Sequence, residues 1–124
     1  MDLGLFDEGR AKLEECLLMC SGSGLRVIEG AVLGVLGGLD AREGNLEQAR
    51  TLLERGESVL RGTTNQVELV TVLCRRGGLE VLEDRRDQAQ KTLEEVRSIA
   101  TRLGVSSGTS IGRMVGDLEE AIRA

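Results

Sequence analysis

Cysteine is the residue type in this chain with the clearest potential for chemistry. Cys16 and Cys20 are four residues apart, so one helix face would offer two thiolates to a metal ion. The 124 residues include no histidine and only one further cysteine, Cys74, so cysteine alone cannot supply a closed four-ligand zinc site within one chain. Free cysteine is among the most buried residue types. We therefore expect three buried small apolar side chains, with no metal and no cofactor.

Arginine pairs at residues 75–76 and 85–86 are the second candidate group. Guanidinium groups bind carboxylates and phosphates through two parallel hydrogen bonds. Acidic residues are close enough in sequence to neutralise them, namely Glu80, Glu83, Asp84 and Asp87. Local ion pairing is the favoured interpretation, and Arg75 and Arg76 stay as candidate anion contacts.

Catalysis has little support in the sequence. Proton transfer near neutral pH most often uses histidine, which is absent, and no Gly-x-x-x-x-Gly-Lys-Ser/Thr phosphate-binding loop occurs. The net charge of −5 argues against general binding of nucleic acid. We predict a protein that is not an enzyme and does not bind nucleic acid.

Composition indicates a soluble, folded helical chain. It combines 40% hydrophobic with 30% charged residues, has no proline and has a single aromatic residue. The longest apolar stretch, Val27 to Leu39, is interrupted by Glu29 and is too short to cross a membrane. An odd number of cysteines and the absence of a leader-like segment predict the cytoplasm.

The sequence repeats itself with a period of 40 residues. The segment at 44–50 returns at 84–90, Val32-Leu33 returns at 72–73, and the Gly-Gly-Leu at 37–39 returns at 77–79. A fixed period of this size marks a stack of similar supersecondary units, none of which buries its apolar face alone.

Apolar spacing predicts six helices, at about 5–19, 25–42, 46–61, 66–83, 86–103 and 111–122. Their short connections make successive helices antiparallel. The predicted fold is all-α, a solenoid of antiparallel helix hairpins in a single domain. We divide it into a half repeat at 1–22, repeats at 24–62 and 64–104, and a C-terminal capping helix at 108–124.

The repeat resembles the tetratricopeptide repeat in its longer, 40-residue form, as found in bacterial regulatory and signalling proteins. Leu33, Leu36 and Gly37 match the pattern of its first helix, and Ala49, Leu53 and Gly56 match that of its second helix. The chain departs from the pattern at Asp40 and Glu80, where the family usually has an aromatic residue, and it lacks the proline that ends the repeat.

The resemblance implies a non-catalytic scaffold that binds a helical or extended peptide of a partner protein in a concave groove. Carrying the pattern over places the groove at Ala31, Gly34, Gly38, Ala41 and Arg42, then Thr71, Cys74, Gly78, Val81 and Leu82. These residues are mostly small or apolar, which suits apolar anchors better than an acidic tail. We expect the domain to belong to a larger bacterial regulatory protein.

Two other functions stay open. Gly30, Gly34 and Gly38 recur every four residues, which favours close packing of a neighbouring helix but would also admit a small metabolite into a sensing cleft. The numbering opens on a second-helix element without its partner helix, so this end is expected to belong to a longer array or to dock on another chain. A homodimer through the first helix is one such arrangement.

Overall fold

The computed structural model describes residues 3–20 and 25–124, with side chains from residue 7 onward. These residues form six helices and no strand, which confirms the all-α prediction. The helices are α1 (Leu3–Cys20), α2 (Arg26–Arg42), α3 (Leu46–Arg61), α4 (Gln66–Leu82), α5 (Arg86–Leu103) and α6 (Ser110–Arg123). Every bound lies within two residues of its predicted position, and the predicted break at 21–24 lies outside the described residues.

The turns that end α2 and α4 have the same hydrogen bonds. After α2, the N–H groups of Gly44 and Asn45 donate to the carbonyls of Ala41 and Asp40, at 3.2 and 2.8 Å. The turn after α4 repeats both bonds 40 residues later, from residues 84 and 85 to residues 81 and 80. Gly44 and Asp84 both adopt positive φ, +85° and +60°, which lets each turn close tightly on the helix end. A third left-handed residue, Gly104, ends α5 as the sequence predicts.

Side-chain caps begin two of the helices. Asn65 Oδ1 accepts a hydrogen bond of 2.9 Å from the backbone N–H of Glu68, as the capping pattern predicts. Thr109 Oγ1 accepts one of 3.0 Å from Gly112 N–H at the start of α6. These bonds satisfy donors that the first helical turn leaves unpaired.

Each helix packs against the next one in the chain, and the even-numbered helices also pack against each other. α2 contacts α4, and α4 contacts α6. Within the described residues the backbones of α1 and α3, and those of α3 and α5, do not come close to each other, although the Arg61 side chain of α3 reaches Glu95 of α5. The largest buried cluster joins α3, α4 and α5, with α6 covering it; its members are Leu60, Leu69, Val70, Val72, Leu73, Cys74, Val96 and Ile99. A smaller cluster of Ala49, Leu53 and Leu79 fixes α3 to α4. α4 is therefore the central helix of the packing.

In the described part of the chain, none of the helices combines the length and apolar character that a membrane crossing requires.

Candidate interaction face on α2, α4 and α6

The predicted groove residues lie on α2 and α4, which pack side by side. The structure brings Gly34 and Gly38 of α2 against Arg75 of α4. Cys74 and Gly78 line an open cleft between α4 and α6. We call this the α4–α6 cleft; its volume is about 290 Å³, and it is lined by Cys74, Arg75, Gly78, Met114, Asp117, Leu118 and Ala121.

The other predicted groove residues lie outside this cleft. Ala41 packs against the buried cluster shared by α3 and α4. Thr71 is half-buried, and its hydroxyl donates a hydrogen bond of 3.0 Å to the carbonyl of Val67. Ala31 and Val81 are half-buried, and Arg42 and Leu82 are exposed.

Neighbouring helices fill the glycine face of α2 at two of its three positions. A methyl group built on Gly30 would lie 2.5 Å from Leu60 Cγ, and one on Gly34 would lie 2.8 Å from Val72 Cγ2. Gly38 is in ordinary van der Waals range of the Arg75 side chain, at 3.5 Å. Close helix packing, the favoured interpretation, is therefore what the structure has at Gly30 and Gly34. Gly78 of α4 differs, because a methyl group there would meet no atom within 4 Å.

Arg75 lies across the glycine face of α2 without a partner of its own. A methyl group on Gly34 would be 3.2 Å from Arg75 Nη1, so the guanidinium rests directly on the α2 backbone. Within the described part of the chain, the structure gives Arg75 neither a hydrogen bond nor an ion pair. Burial lowers the pKa of Arg75, and the charge of Arg42 lowers it further, whereas Glu68 opposes both. The environment therefore disfavours the charged form of Arg75.

Arg76, the next residue, is bound through both terminal nitrogens of its guanidinium, whereas its buried Nε makes no hydrogen bond to the described residues. Its Nη1 binds Glu57 of α3, and its Nη2 donates a hydrogen bond of 3.0 Å to Thr92 of α5. Thr92 in turn donates a 2.6 Å hydrogen bond to Glu80, whose other oxygen lies 3.7 Å from Arg76 Nε. The predicted ion pairing thus holds for Arg76 and does not extend to Arg75.

A larger cleft of about 590 Å³ lies beside the α4–α5 turn and has a mostly charged lining. Its cations already have partners: Arg50 pairs with Glu83, and Arg86 donates to the carbonyls of Ala121 and Ile122. Arg85 is the exposed exception. The charges of this cleft therefore connect α3 to the end of α4, and α5 to α6.

The cysteines are suited to packing rather than to reactivity. Cys20 and Cys74 are buried, as predicted, and Cys16 is half-buried with its sulfur 4.0 Å from that of Cys20. Burial raises the pKa of Cys20, and it raises the pKa of Cys74 to about 11. Both thiols stay protonated near neutral pH, which makes them weak nucleophiles and weak ligands. The described residues hold no group of three or more side chains suited to a metal ion.

Sequence reasoning missed two features of this face. It treated α6 as a cap, yet Met114, Asp117 and Ala121 form one wall of the α4–α6 cleft. It also passed over Arg10, which pairs at 3.0 Å with Asp40, a carboxylate that is only 2% exposed. A signal for the Arg10–Asp40 pair was present in the sequence, because an aspartate directly after the apolar stretch of α2 needs a cationic partner if the helix buries it.

Comparison with known proteins does not assign the chain to a family, since no protein-family model, curated protein or solved structure matches it. What the protein does has to be inferred from its helices and their charges.

Proposed function

We propose that the chain is a tetratricopeptide-like α-solenoid that serves as a non-catalytic scaffold for protein interaction. Three observations support the solenoid: α2 and α4 have equal lengths, begin 40 residues apart and end in the same turn. The successive packing of α2, α4 and α6 is the arrangement that stacked helix hairpins produce. Stacks of this kind present a continuous face made by alternate helices, which binds segments of other proteins.

The α4–α6 cleft is the observation that carries the proposal. Its volume of about 290 Å³ lies just below the range for small-molecule sites, roughly 300–1,000 Å³, and suits one apolar side chain of a peptide. Gly78 leaves the backbone of α4 bare beside it. A helical or extended segment of a partner protein would place its apolar anchor between Met114 and Gly78 and extend over α2.

Catalysis and metal chemistry lack support on this face. The thiol that lines the cleft, Cys74, has a raised pKa, and most of the charged side chains near α4 are bound to each other. We place the domain within a larger bacterial regulatory protein of the cytoplasm, on the strength of the repeat resemblance and the three free cysteines.

Filling the cleft tests the proposal. Gly78→Leu adds a side chain where a methyl group meets no atom within 4 Å, so it should occupy the cleft without disturbing the core. Peptides selected from a displayed random 12-residue library on the wild-type protein should bind Gly78→Leu at least tenfold more weakly in calorimetric titration.

Gly116→Leu is the matched control for this test. Gly116 is an exposed glycine of α6 that also has no atom within 4 Å of the built methyl position, and it does not line the cleft. This variant should bind the selected peptides like the wild type, with both variants retaining the wild-type circular dichroism. Equal binding by Gly78→Leu, or failure of the folded protein to select any peptide, contradicts the proposal.

Homodimerisation is the second candidate, favoured by one observation. Leu18 and Met19 of α1 are 78% and 72% exposed, which leaves apolar surface uncovered at this end. Sedimentation at several concentrations checks it: self-association that Leu18→Glu abolishes supports a dimer, and a monomer at every concentration rules it out.

A further inference from the structure

We propose that Arg75 makes the interaction face selective for a peptide that carries an acidic side chain next to its apolar anchor. The inference rests on the proposed function and names the chemistry of its partner. Arg75 would donate two hydrogen bonds to the aspartate or glutamate carboxylate while the neighbouring apolar side chain enters the α4–α6 cleft.

The first support is that no described residue of the protein pairs with Arg75. A guanidinium has five N–H donors, and partly buried charges are normally paired because burial removes their hydration. Arg75 has no ion pair or hydrogen bond from the described residues, although Arg76, one position along, binds two carboxylates and a hydroxyl. Within the described residues Arg75 is unpaired although Arg76 is bound through both terminal nitrogens, and this difference points to a ligand supplied from outside.

The second support is the position of Arg75 beside the α4–α6 cleft. Arg75 contributes to the wall of the α4–α6 cleft, and its side chain also lies over Gly38 of α2. A peptide across this face therefore meets the guanidinium and the apolar cleft together. On a helical peptide, side chains three or four residues apart would reach both.

The third support is the local charge, which favours a carboxylate over a doubly charged phosphate. Arg42 is close enough to influence the pKa of Arg75, and it too has no ion pair among the described residues. Glu68 acts on Arg75 with the opposite sign, and Asp117 lies in the same cleft. Because the two nearby carboxylates already offset the two cations, a phosphate with two negative charges is less favourable here than a carboxylate with one.

The experiment begins with the peptides selected on the wild-type protein. We expect them to be enriched in Asp or Glu three or four positions from Leu, Met or Phe. One such peptide and its Glu→Gln version would then be titrated against wild type, Arg75→Met and Arg55→Met. Arg55 is an exposed arginine of α3 and serves as the control for loss of one positive charge.

We expect a double-mutant cycle to show strong coupling between Arg75 and the glutamate of the peptide. The Glu→Gln peptide should bind the wild type at least tenfold more weakly than the Glu peptide, and Arg55→Met should show the same difference. On Arg75→Met the two peptides should differ by less than twofold. If that variant does not fold, the Glu–Gln difference on the wild type, compared at low and high salt, still decides the question, because a paired charge loses affinity as salt rises.

Each other outcome has a distinct meaning. Selected peptides without acidic residues, or equal binding of the Glu and Gln versions, overturn the role of Arg75 and leave the proposed function standing. A phosphoserine version that binds tenfold more tightly than the Glu peptide overturns the choice of a carboxylate. Failure of every peptide to bind the folded protein contradicts the proposed function itself.

Discussion

The two sides of α4 differ in whether their arginine is paired with other side chains. On the side toward α3 and α5, Arg76 is bound by Glu57, Glu80 and Thr92. On the side toward α2 and α6, Arg75 is half-buried and unpaired within the described residues. One side of α4 is therefore joined to its neighbours by ion pairs, whereas on the other side the described residues offer Arg75 no partner.

The α3–α5 side extends its pairing to the surface. Arg61 donates to Glu57 at 2.8 Å and to Glu95 of α5 at 2.9 Å, so Glu57 is shared by two arginines. Exposed pairs of this kind contribute little individually, whereas the half-buried contacts of Arg76 lose much when one partner is removed. Stability on this side should therefore depend on Arg76 far more than on Arg61.

Removing Arg76 should have the largest effect. Arg76→Met keeps the aliphatic stem but leaves Glu80, whose side chain is 10% exposed, without its cation, and leaves Glu57, 14% exposed, with the exposed Arg61 alone. We expect the free energy of unfolding to fall by about 2–3 kcal/mol in urea denaturation. Arg55→Met is the control and should change it by less than about 0.5 kcal/mol. A loss for Arg76→Met that is no larger than the control's would show that its ion pairs do not stabilise the fold.

Replacing one glycine of α2 and one of α4 with alanine compares a position that a neighbouring helix fills with a position that is open. Gly30→Ala should destabilise the protein by about 1 kcal/mol, because the clash with buried Leu60 exceeds the gain in helix propensity. Gly78→Ala should stabilise it by about 0.5–1 kcal/mol, since its methyl group meets no atom within 4 Å. Thermal unfolding of the two variants checks the pair, and changes of equal sign would contradict the distinction between a filled and an open position.

The period and the turn residues were sufficient to predict the helices. Repetition at 40 residues, with Gly44 and Gly104 at helix ends, placed α2, α4 and α5 to within a residue or so. The pairing of the arginines could not be predicted in the same way. Residues 75 and 76 are about 100° apart on a helix, so their partners depend on which neighbour each side faces.

The α4–α6 cleft could not be predicted from the sequence either. One wall comes from α6, whose spacing indicates an amphipathic helix but whose sequence lacks the Gly-Gly-Leu signature of the repeat. Without that signature the register of α6 on α4 has no marker, and Leu118 meeting Gly77 becomes visible only in three dimensions.

Removing Arg75 should have the smallest effect on stability and is the sharpest test of the comparison. Arg75→Met keeps the contact of the stem with Gly38 and removes a half-buried charge that has no counter-charge in contact among the described residues. The free energy of unfolding should therefore rise by about 0.5 kcal/mol. If Arg75 stabilised the fold, Arg75→Met would instead lower the free energy of unfolding. Urea denaturation of this variant beside Arg76→Met therefore separates the roles of two adjacent arginines. A loss of stability in both would mean that Arg75 has a structural partner, and its side of α4 would no longer point to a ligand.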